Sequence, residues 1–364
     1  MSPVEGTESA VRSRLARITT GPAAVISDAL RQMDEAGDKI LFVVDAATKL
    51  LGVVTDGDIR RWLIAGNALD RPISEAMNPT PITLPEDYAI EDARELLVSR
   101  KIDCAPVLDA GGAVVSAVWW IDLFDQHRPP TELIDVPVVI MAGGEGTRLS
   151  PYTRVLPKPL IPLGETPIVE VIIERFVRNG CSRFYLSLNF KANLIKAYFA
   201  DLAPDYSISF LEEKEPLGTA GSLSMLRGTI YETFFVSNCD ILIDADYADI
   251  LRFHRESGSL ITVVASAKRF TVPYGVCELG AGGRLTGISE KPGFDYLVST
   301  GMYVLDAAVL DDVPSDRLYH ITELIEDYTT AGKRVGIYPV SEKSWMDMGQ
   351  FEELQSMRAK LGLT

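Results

Sequence analysis

A short apolar run, Val136-Pro137-Val138-Val139-Ile140-Met141, passes directly into Ala142-Gly143-Gly144-Glu145-Gly146-Thr147-Arg148-Leu149. That junction restricts the folds open to this chain more than any other feature. An apolar run of this length with no polar alternation reads as a parallel strand buried on both faces. Glycines at its end let backbone N–H groups approach an anion with no Cβ in the way. The following residues keep the alternation that a parallel sheet demands. Ile168 to Asn179 reads as an amphipathic helix stopped at Gly180. Phe184 to Leu188, Phe234 to Ser237 and Leu260 to Ala265 read as strands. The expectation for this part of the chain is a doubly wound α/β domain.

The text before it differs. The 364 residues are enough for two domains. The stretch His127-Arg128-Pro129-Pro130-Thr131-Glu132 has linker composition, so the domains are expected at 1–130 and 131–364. The first contains a diverged internal repeat of about 60 residues, a spacing that fits paired modules. One copy reads as a helix from Ser27 to Ala36, strands at Ile40 to Val44 and Leu51 to Val54, and a helix opened by Thr55-Asp56-Gly57-Asp58. The other repeats that order from Ala89 to Ser99, through Ala105 to Asp109 and Ala113 to Val118, into Trp119-Trp120-Ile121-Asp122.

Lys and Arg number 35 against 51 Asp and Glu, a net charge of −16. Such a balance argues against nucleic acid or an anionic membrane as partner. A site for phosphates must then be positive locally, through a few basic side chains, a helix N-terminus or metal ions. No apolar run approaches the ~18 residues of a membrane helix, and Met1 to Leu15 is too polar for a signal peptide. The four cysteines are scattered with no paired spacing, which is expected of reduced thiols in a cytoplasmic protein.

The glycine-rich segment departs in spacing from both the Walker A loop and the dinucleotide fingerprint. Arg148 adds a fork of donors suited to phosphate. Ten residues on, Pro157 and Pro159 flank Lys158 and fix the backbone that aims its ammonium. Together, Ala142 to Leu149 and Leu156 to Ile168 resemble the sugar-phosphate nucleotidyltransferase family, which includes glucose-1-phosphate thymidylyltransferases and mannose-1-phosphate guanylyltransferases. The resemblance runs from about Val136 to Met357 and implies a Rossmann-like nucleotidyltransferase domain. It implies a nucleotide held by Met141, Ala142, Gly143, Gly144, Gly146 and Thr147, and by Gly218 and Thr219 in a second loop, Pro216 to Gly221. Ser237-Asn238-Cys239-Asp240 and Trp345-Met346-Asp347-Met348-Gly349 resemble the segments whose aspartates hold metal, so Asp240 and Asp347 are the expected Mg²⁺ ligands. Tyr274, Gly275, Glu290 and Gly301 fall on sugar-side positions.

In such a reaction an acceptor phosphate attacks the α-phosphorus of a nucleoside triphosphate, and catalysis is positioning plus charge neutralisation. Arg148 is assigned to the departing pyrophosphate, Lys158 to the α-phosphate, and Lys291 to the acceptor phosphate. Taken singly, Asp240 also reads as a helix cap, Asp347 as a surface acid, and Glu290-Lys291 as a solvated turn pair. Glu212 and Glu213 read as solvated, and His254 and His320 as surface or capping residues.

Gly52-Val53-Val54-Thr55-Asp56-Gly57-Asp58 resembles a CBS module signature, and the two copies resemble a tandem CBS (Bateman) pair over about Arg14 to Gln126. The resemblance implies a regulatory nucleotide, its phosphate at Thr55 and its ribose at Asp58. In the second copy Trp119 stands where Thr55 stands in the first, and Asp122 matches Asp58. The alternative is that Thr55 only caps a helix and the pair serves assembly, and homo-oligomers are expected of such pairs. The reading as a whole is transfer of a nucleoside monophosphate, from GTP by resemblance, to a hexose- or hexosamine-1-phosphate. Its rivals are a nucleotide sensor with an inactive transferase-like domain and a same-fold cytidylyltransferase for a non-sugar phosphate.

Overall fold

Two three-stranded sheets with matching strand pairing precede the α/β part. The computed structural model describes residues 13–100, 102–124, 132–340, 342, 344–349 and 357. The segment 1–12 and the linker residues 125–131 lie outside them. Within the first 130 residues the elements are β1 (Thr19–Thr20), α1 (Ile26–Ala36), β2 (Ile40–Val44), β3 (Leu50–Thr55), α2 (Asp56–Ile64), β4 (Leu84–Pro85), α3 (Ile90–Arg100), β5 (Cys104–Leu108), β6 (Val114–Trp119) and α4 (Trp120–Phe124). They form two three-stranded sheets, β1-β2-β3 and β4-β5-β6. Ile40 pairs with Thr55 and Cys104 with Trp119, so Thr55 and Trp119 are structural equivalents, as the repeat requires. Helix α1 buries Ile26, Ala29 and Met33 on one stripe and ends at Gly37, whose φ of 79° needs glycine.

The α/β part contains β7 (Val138–Met141), α5 (Ile168–Arg178), β8 (Arg183–Leu188), α6 (Ala192–Leu202), β9 (Ser207–Glu212), β10 (Phe234–Asn238), β11 (Ile241–Ile243), α7 (Tyr247–Ser257), β12 (Ile261–Thr271), β13 (Gly275–Leu279), β14 (Leu285–Glu290), β15 (Gly293–Leu305), α8 (Ile321–Thr330), β16 (Val335–Val340) and β17 (Trp345–Asp347). Seven strands make one sheet in the order β9-β8-β7-β10-β15-β12-β16. Strands β9, β8, β7 and β10 are mutually parallel, and β15 runs antiparallel to β10. Alternate residues of β7 face opposite layers. Val138 and Ile140 pack with Ile172 and Phe176, while Val139 packs with Leu223, Phe234 and Leu324. This two-faced burial explains the unbroken apolar run. The chain builds from β7 through β8 to β9, then returns to lay β10 on the other flank of β7. That reversal makes the carboxyl ends of β7 and β10 the switch point where ligands bind in such sheets.

By contact density the chain falls into two compact units, Met1–Pro129 with Ala267–Leu297 and Ser341–Lys343, and Pro130–Ser266 with Val298–Val340 and Ser344–Thr364. The ribbon β13–β14 thus belongs to the first unit. No helix among the described residues is long and apolar enough to cross a membrane.

His254 is not a surface residue. It is 2% exposed in α7, on the stripe with Tyr247, Ile250 and Leu251, and its Nδ1 lies 2.8 Å from Thr262 Oγ1. Burial lowers its pKa; nearby Asp306 opposes that and Arg255 reinforces it. The folded state therefore binds its proton more weakly than the unfolded chain, whose histidine titrates near ~6.5. Above that pH the group costs nothing; below it stability falls with pH, by at most about 1.4 kcal/mol per unit. Thermal unfolding between pH 7.5 and 5 is expected to show less acid lability in His254→Gln than in the parent. Equal lability in both would assign the effect to other groups.

Candidate active site

The glycine loop leaves β7 anchored to β8 and the turn after it. The Ala142 N–H donates to the Ser187 carbonyl at 2.9 Å, and the Phe190 N–H to the Gly143 carbonyl at 3.3 Å. A Cβ on Gly143 would meet Glu213 Oε1 at 3.2 Å, whereas Gly144 faces open space. Gly146 has φ 65°, and a Cβ there would meet Thr153 Cγ2 at 2.9 Å and Lys158 Cβ at 3.0 Å. Glycine is therefore required at 146 both for conformation and for the close approach of the segment that carries Lys158. Thr147 and Arg148 follow in a single 3₁₀ turn, Thr147–Leu149. Arg148 is exposed, and no described residue forms an ion pair with it.

Lys158 and Asp240, 82 residues apart in sequence, form an ion pair at the end of β10, with both side chains mostly buried. Burial alone would lower the lysine pKa, but Asp240, with Cys239 and Asp347 also contributing, raises it above the usual value. The ammonium is therefore held charged. Asp347 reaches the same place through the short antiparallel pair β11–β17, where Ile241 stands opposite Asp347. The Met348 N–H donates to the Asp240 carbonyl at 2.8 Å, and Asp347 Oδ1 accepts from the Gly349 N–H at 2.7 Å. Two carboxylates beside a lysine ammonium lie at the mouth of a glycine loop, a set of groups that could hold a polyanion and its counter-cation. Among the described residues no cluster of three or more His, Cys, Asp or Glu forms a metal cage. The donors offered are two carboxylates, hard oxygen ligands that would suit Mg²⁺.

The second loop is tied to residues 317–321. Tyr319 N–H donates to Leu217 O at 2.9 Å, and the Ala220 and Gly221 N–H groups return to Tyr319 O at 3.0 and 3.1 Å. Thr219 Oγ1 accepts from the Ile321 N–H at 3.0 Å, capping α8. Gly301, with φ 89°, makes room for Asn238, whose Nδ2 would lie 2.5 Å from a Cβ there. Met141, Ala142, Gly143, Gly144, Gly146, Thr147, Arg148, Lys158, Asp240, Asp347 and Gly301 thus gather around the carboxyl ends of β7 and β10.

Glu213 does not behave as a solvated acid. Its carboxylate accepts from the Ser187 hydroxyl and, at 2.9 Å, from the Leu217 N–H. It bridges β8 and the second loop. Its neighbour Glu212 is exposed and pairs with Lys196.

The three remaining residues expected on the sugar side, Tyr274, Gly275 and Glu290, and Lys291 with them, lie together in the first unit. Gly275 stands opposite Glu290 on the ribbon, and a Cβ on it would meet Glu290 Oε2 at 3.1 Å. The Lys291 N–H donates to the Tyr274 carbonyl at 3.3 Å, with Lys291 at φ 46°. Pairing of the ribbon strands therefore brings Tyr274, Gly275, Glu290 and Lys291 to one end.

In the first repeat, Thr55 caps α2. Its hydroxyl donates to Asp58 Oδ2 at 2.7 Å, and the Asp58 carboxylate also takes Arg61. In the second, the equivalent Trp119 is buried, with the Arg14 guanidinium 3.7 Å from its ring centroid. Arg14 also pairs with Asp122 at 3.3 Å and Asp38 at 3.0 Å. The chain's own arginine thus stacks on the residue that matches Thr55.

The sequence matches the model of the family "Nucleotidyl transferase" over residues 137–362, and that of the CBS domain over 16–65 and 73–118. Mannose-1-phosphate guanyltransferase beta-B of Xenopus laevis is 31% identical over 238 residues, 61% of this chain and 66% of that protein. UTP–glucose-1-phosphate uridylyltransferase of Synechocystis sp. is 27% identical over 245 residues, 61% of this chain and 63% of that protein. The chain spans just under two thirds of the length of these relatives. The crystal structure of HddC from Yersinia pseudotuberculosis is 25% identical, with a TM-score of 0.47, and the match covers 62% of this chain and 99% of that one. With the family model matching well over half of its residues, this chain belongs to the nucleotidyl transferase family and carries a pair of CBS domains ahead of the transferase region.

Proposed function

We propose that the chain transfers a nucleoside monophosphate from a nucleoside triphosphate, preferentially GTP, to a hexose- or hexosamine-1-phosphate. An acceptor phosphate oxygen forms a bond to the α-phosphorus, the bond from that phosphorus to the bridging oxygen breaks, and pyrophosphate leaves with the electron pair. The observation that carries this reading is the Lys158–Asp240 pair with Asp347 beside it, below a glycine loop that displays Arg148. Arg148 would take the pyrophosphate, Lys158 the α-phosphate and Lys291 the acceptor phosphate; no protein nucleophile is needed, since the substrate supplies one. Gly218 and Thr219 would pass over the nucleotide, and Tyr274, Gly275, Glu290 and Gly301 would line the sugar. Asp240 and Asp347 would hold Mg²⁺, which neutralises phosphate charge when bound.

The preference for GTP is supported by the guanylyltransferases among the relatives. A regulatory nucleotide is assigned to the Thr55 and Asp58 half of the CBS pair, since in the other half Arg14 stacks on Trp119 and pairs with Asp122. The proposal places a homo-oligomer in the cytoplasm, and light scattering reads the assembly. The test is pyrophosphate release across a matrix of five nucleoside triphosphates and several sugar 1-phosphates, with and without Mg²⁺. One productive pair abolished by EDTA is expected; silence across the matrix would favour the nucleotide-sensor reading.

A further inference from the structure

The turn Asn189-Phe190-Lys191, between β8 and α6, has no substrate role in the reading above, yet three parts of the site are tied to it. Asn189 Nδ2 donates to the Glu213 carbonyl at 2.9 Å, and the Phe190 N–H to the Gly143 carbonyl at 3.3 Å. Lys191 Nζ donates to three consecutive carbonyls, Thr153 at 3.2 Å, Arg154 at 2.6 Å and Val155 at 2.9 Å. Those carbonyls belong to the short helix Tyr152–Val155, too short to satisfy them internally. One ammonium, with its three donors, caps that helix end. Lys191 sits at φ 52° to do so, a conformation costly for any residue with a Cβ and kept only where the surroundings enforce it.

The capped segment is the one that meets the glycine loop. Thr153 Cγ2 and Lys158 Cβ are the atoms that would touch a Cβ on Gly146, at 2.9 and 3.0 Å. Lys158 is three residues beyond Val155 and ends at Asp240. The height at which Lys191 holds residues 153–155 therefore sets both the packing of the loop at Gly146 and the reach of the Lys158 ammonium.

We infer that Lys191 is a positioning residue for the transfer reaction, acting through the 153–158 segment on Lys158 and the glycine loop without touching substrate. The inference rests on the proposed reaction for its kinetic consequence, and on the tether alone for its structural one. Lys191→Met keeps an unbranched apolar stem and removes the ammonium; Lys191→Arg restores donors. In the full-length protein, Lys191→Met is expected to lower kcat by about thirtyfold, the scale of a sub-ångström misplacement, with each KM within about threefold. Lys191→Arg is expected to recover most of kcat. Hydrogen–deuterium exchange of residues 152–158 is expected to quicken in Lys191→Met. Parent-like kcat and KM in Lys191→Met, or a loss confined to the KM of one substrate, would overturn the inference. So would unchanged exchange over 152–158, a result readable even if the parent releases no pyrophosphate, in which case the proposed function fails separately.

Discussion

Asp240→Asn is expected to lower the rate of pyrophosphate release by about a thousandfold or more, on the scale of losing one preorganised charge contact at a reacting phosphate. The substitution is isosteric, so packing at the end of β10 survives. The charge does not. Asp240 is the anion that holds the Lys158 ammonium in a mostly buried position, and it is one of the two carboxylates proposed to hold the cation. Removing it leaves the lysine without its paired carboxylate, with Asp347 as the remaining nearby anion, and the proposed cation site with one carboxylate. The two losses act on the same step, so the activity effect exceeds the stability effect. Stability should fall by about 1–3 kcal/mol, the cost of leaving one partner of a buried polar pair unmet. Asp347→Asn should behave similarly in activity. Activity of Asp240→Asn within tenfold of the parent, at saturating Mg²⁺ and unchanged folding, would remove Asp240 from the machinery.

How far the site could be read beforehand depends on the range of the interactions involved. The strand 138–141 and its glycine loop were legible from local physics, because burial on both faces leaves an unbroken apolar run and a sharp turn leaves glycines. The repeat in the first 130 residues was legible in the same way, and the equivalence of Thr55 and Trp119 follows from strand register. The contact of Lys158 with Asp240 was not readable from local pattern, since 82 residues separate them and only the sheet's reversal at β10 brings them together. Resemblance supplied those residues; topology explains them. His254 was misread although a signal existed: it lies three and four residues after Leu251 and Ile250, on the buried stripe of α7. Glu213 was misread with no such signal, because its partners Ser187 and Leu217 come from another strand and the next loop. Lys191 belongs to the same class, a charged residue in a polar turn whose work is done on carbonyls more than 35 residues away.

Gly218→Ala should damage both folding and nucleotide use, and the two costs can be separated. Gly218 adopts φ 81°, and a Cβ there would stand 2.7 Å from the Tyr319 carbonyl oxygen and 3.1 Å from its carbon. The nearest obstructing atom is backbone, so it cannot swing aside as a side chain can. That same carbonyl accepts from Ala220 and Gly221, and Thr219 caps Ile321 across the same seam. Displacing Tyr319 would therefore loosen four hydrogen bonds that hold the second loop to the start of α8. The conformational cost alone is about 1–2 kcal/mol; with the steric displacement the total is expected near ~3 kcal/mol, a fall in Tm of about 6–12 °C. Gly258→Ala supplies the comparison. Gly258 also has positive φ, at 60°, but nothing lies within 4 Å of its added Cβ, so that variant should show the conformational cost only. The excess loss in Gly218→Ala over Gly258→Ala measures the seam. If the second loop closes over the nucleotide as proposed, the excess in stability will be accompanied by a raised KM for the triphosphate, with the KM for the sugar phosphate little changed. Equal losses in the two variants would mean that the 217–221 loop is free to move away from 317–321, and its role over the nucleotide would have to be abandoned.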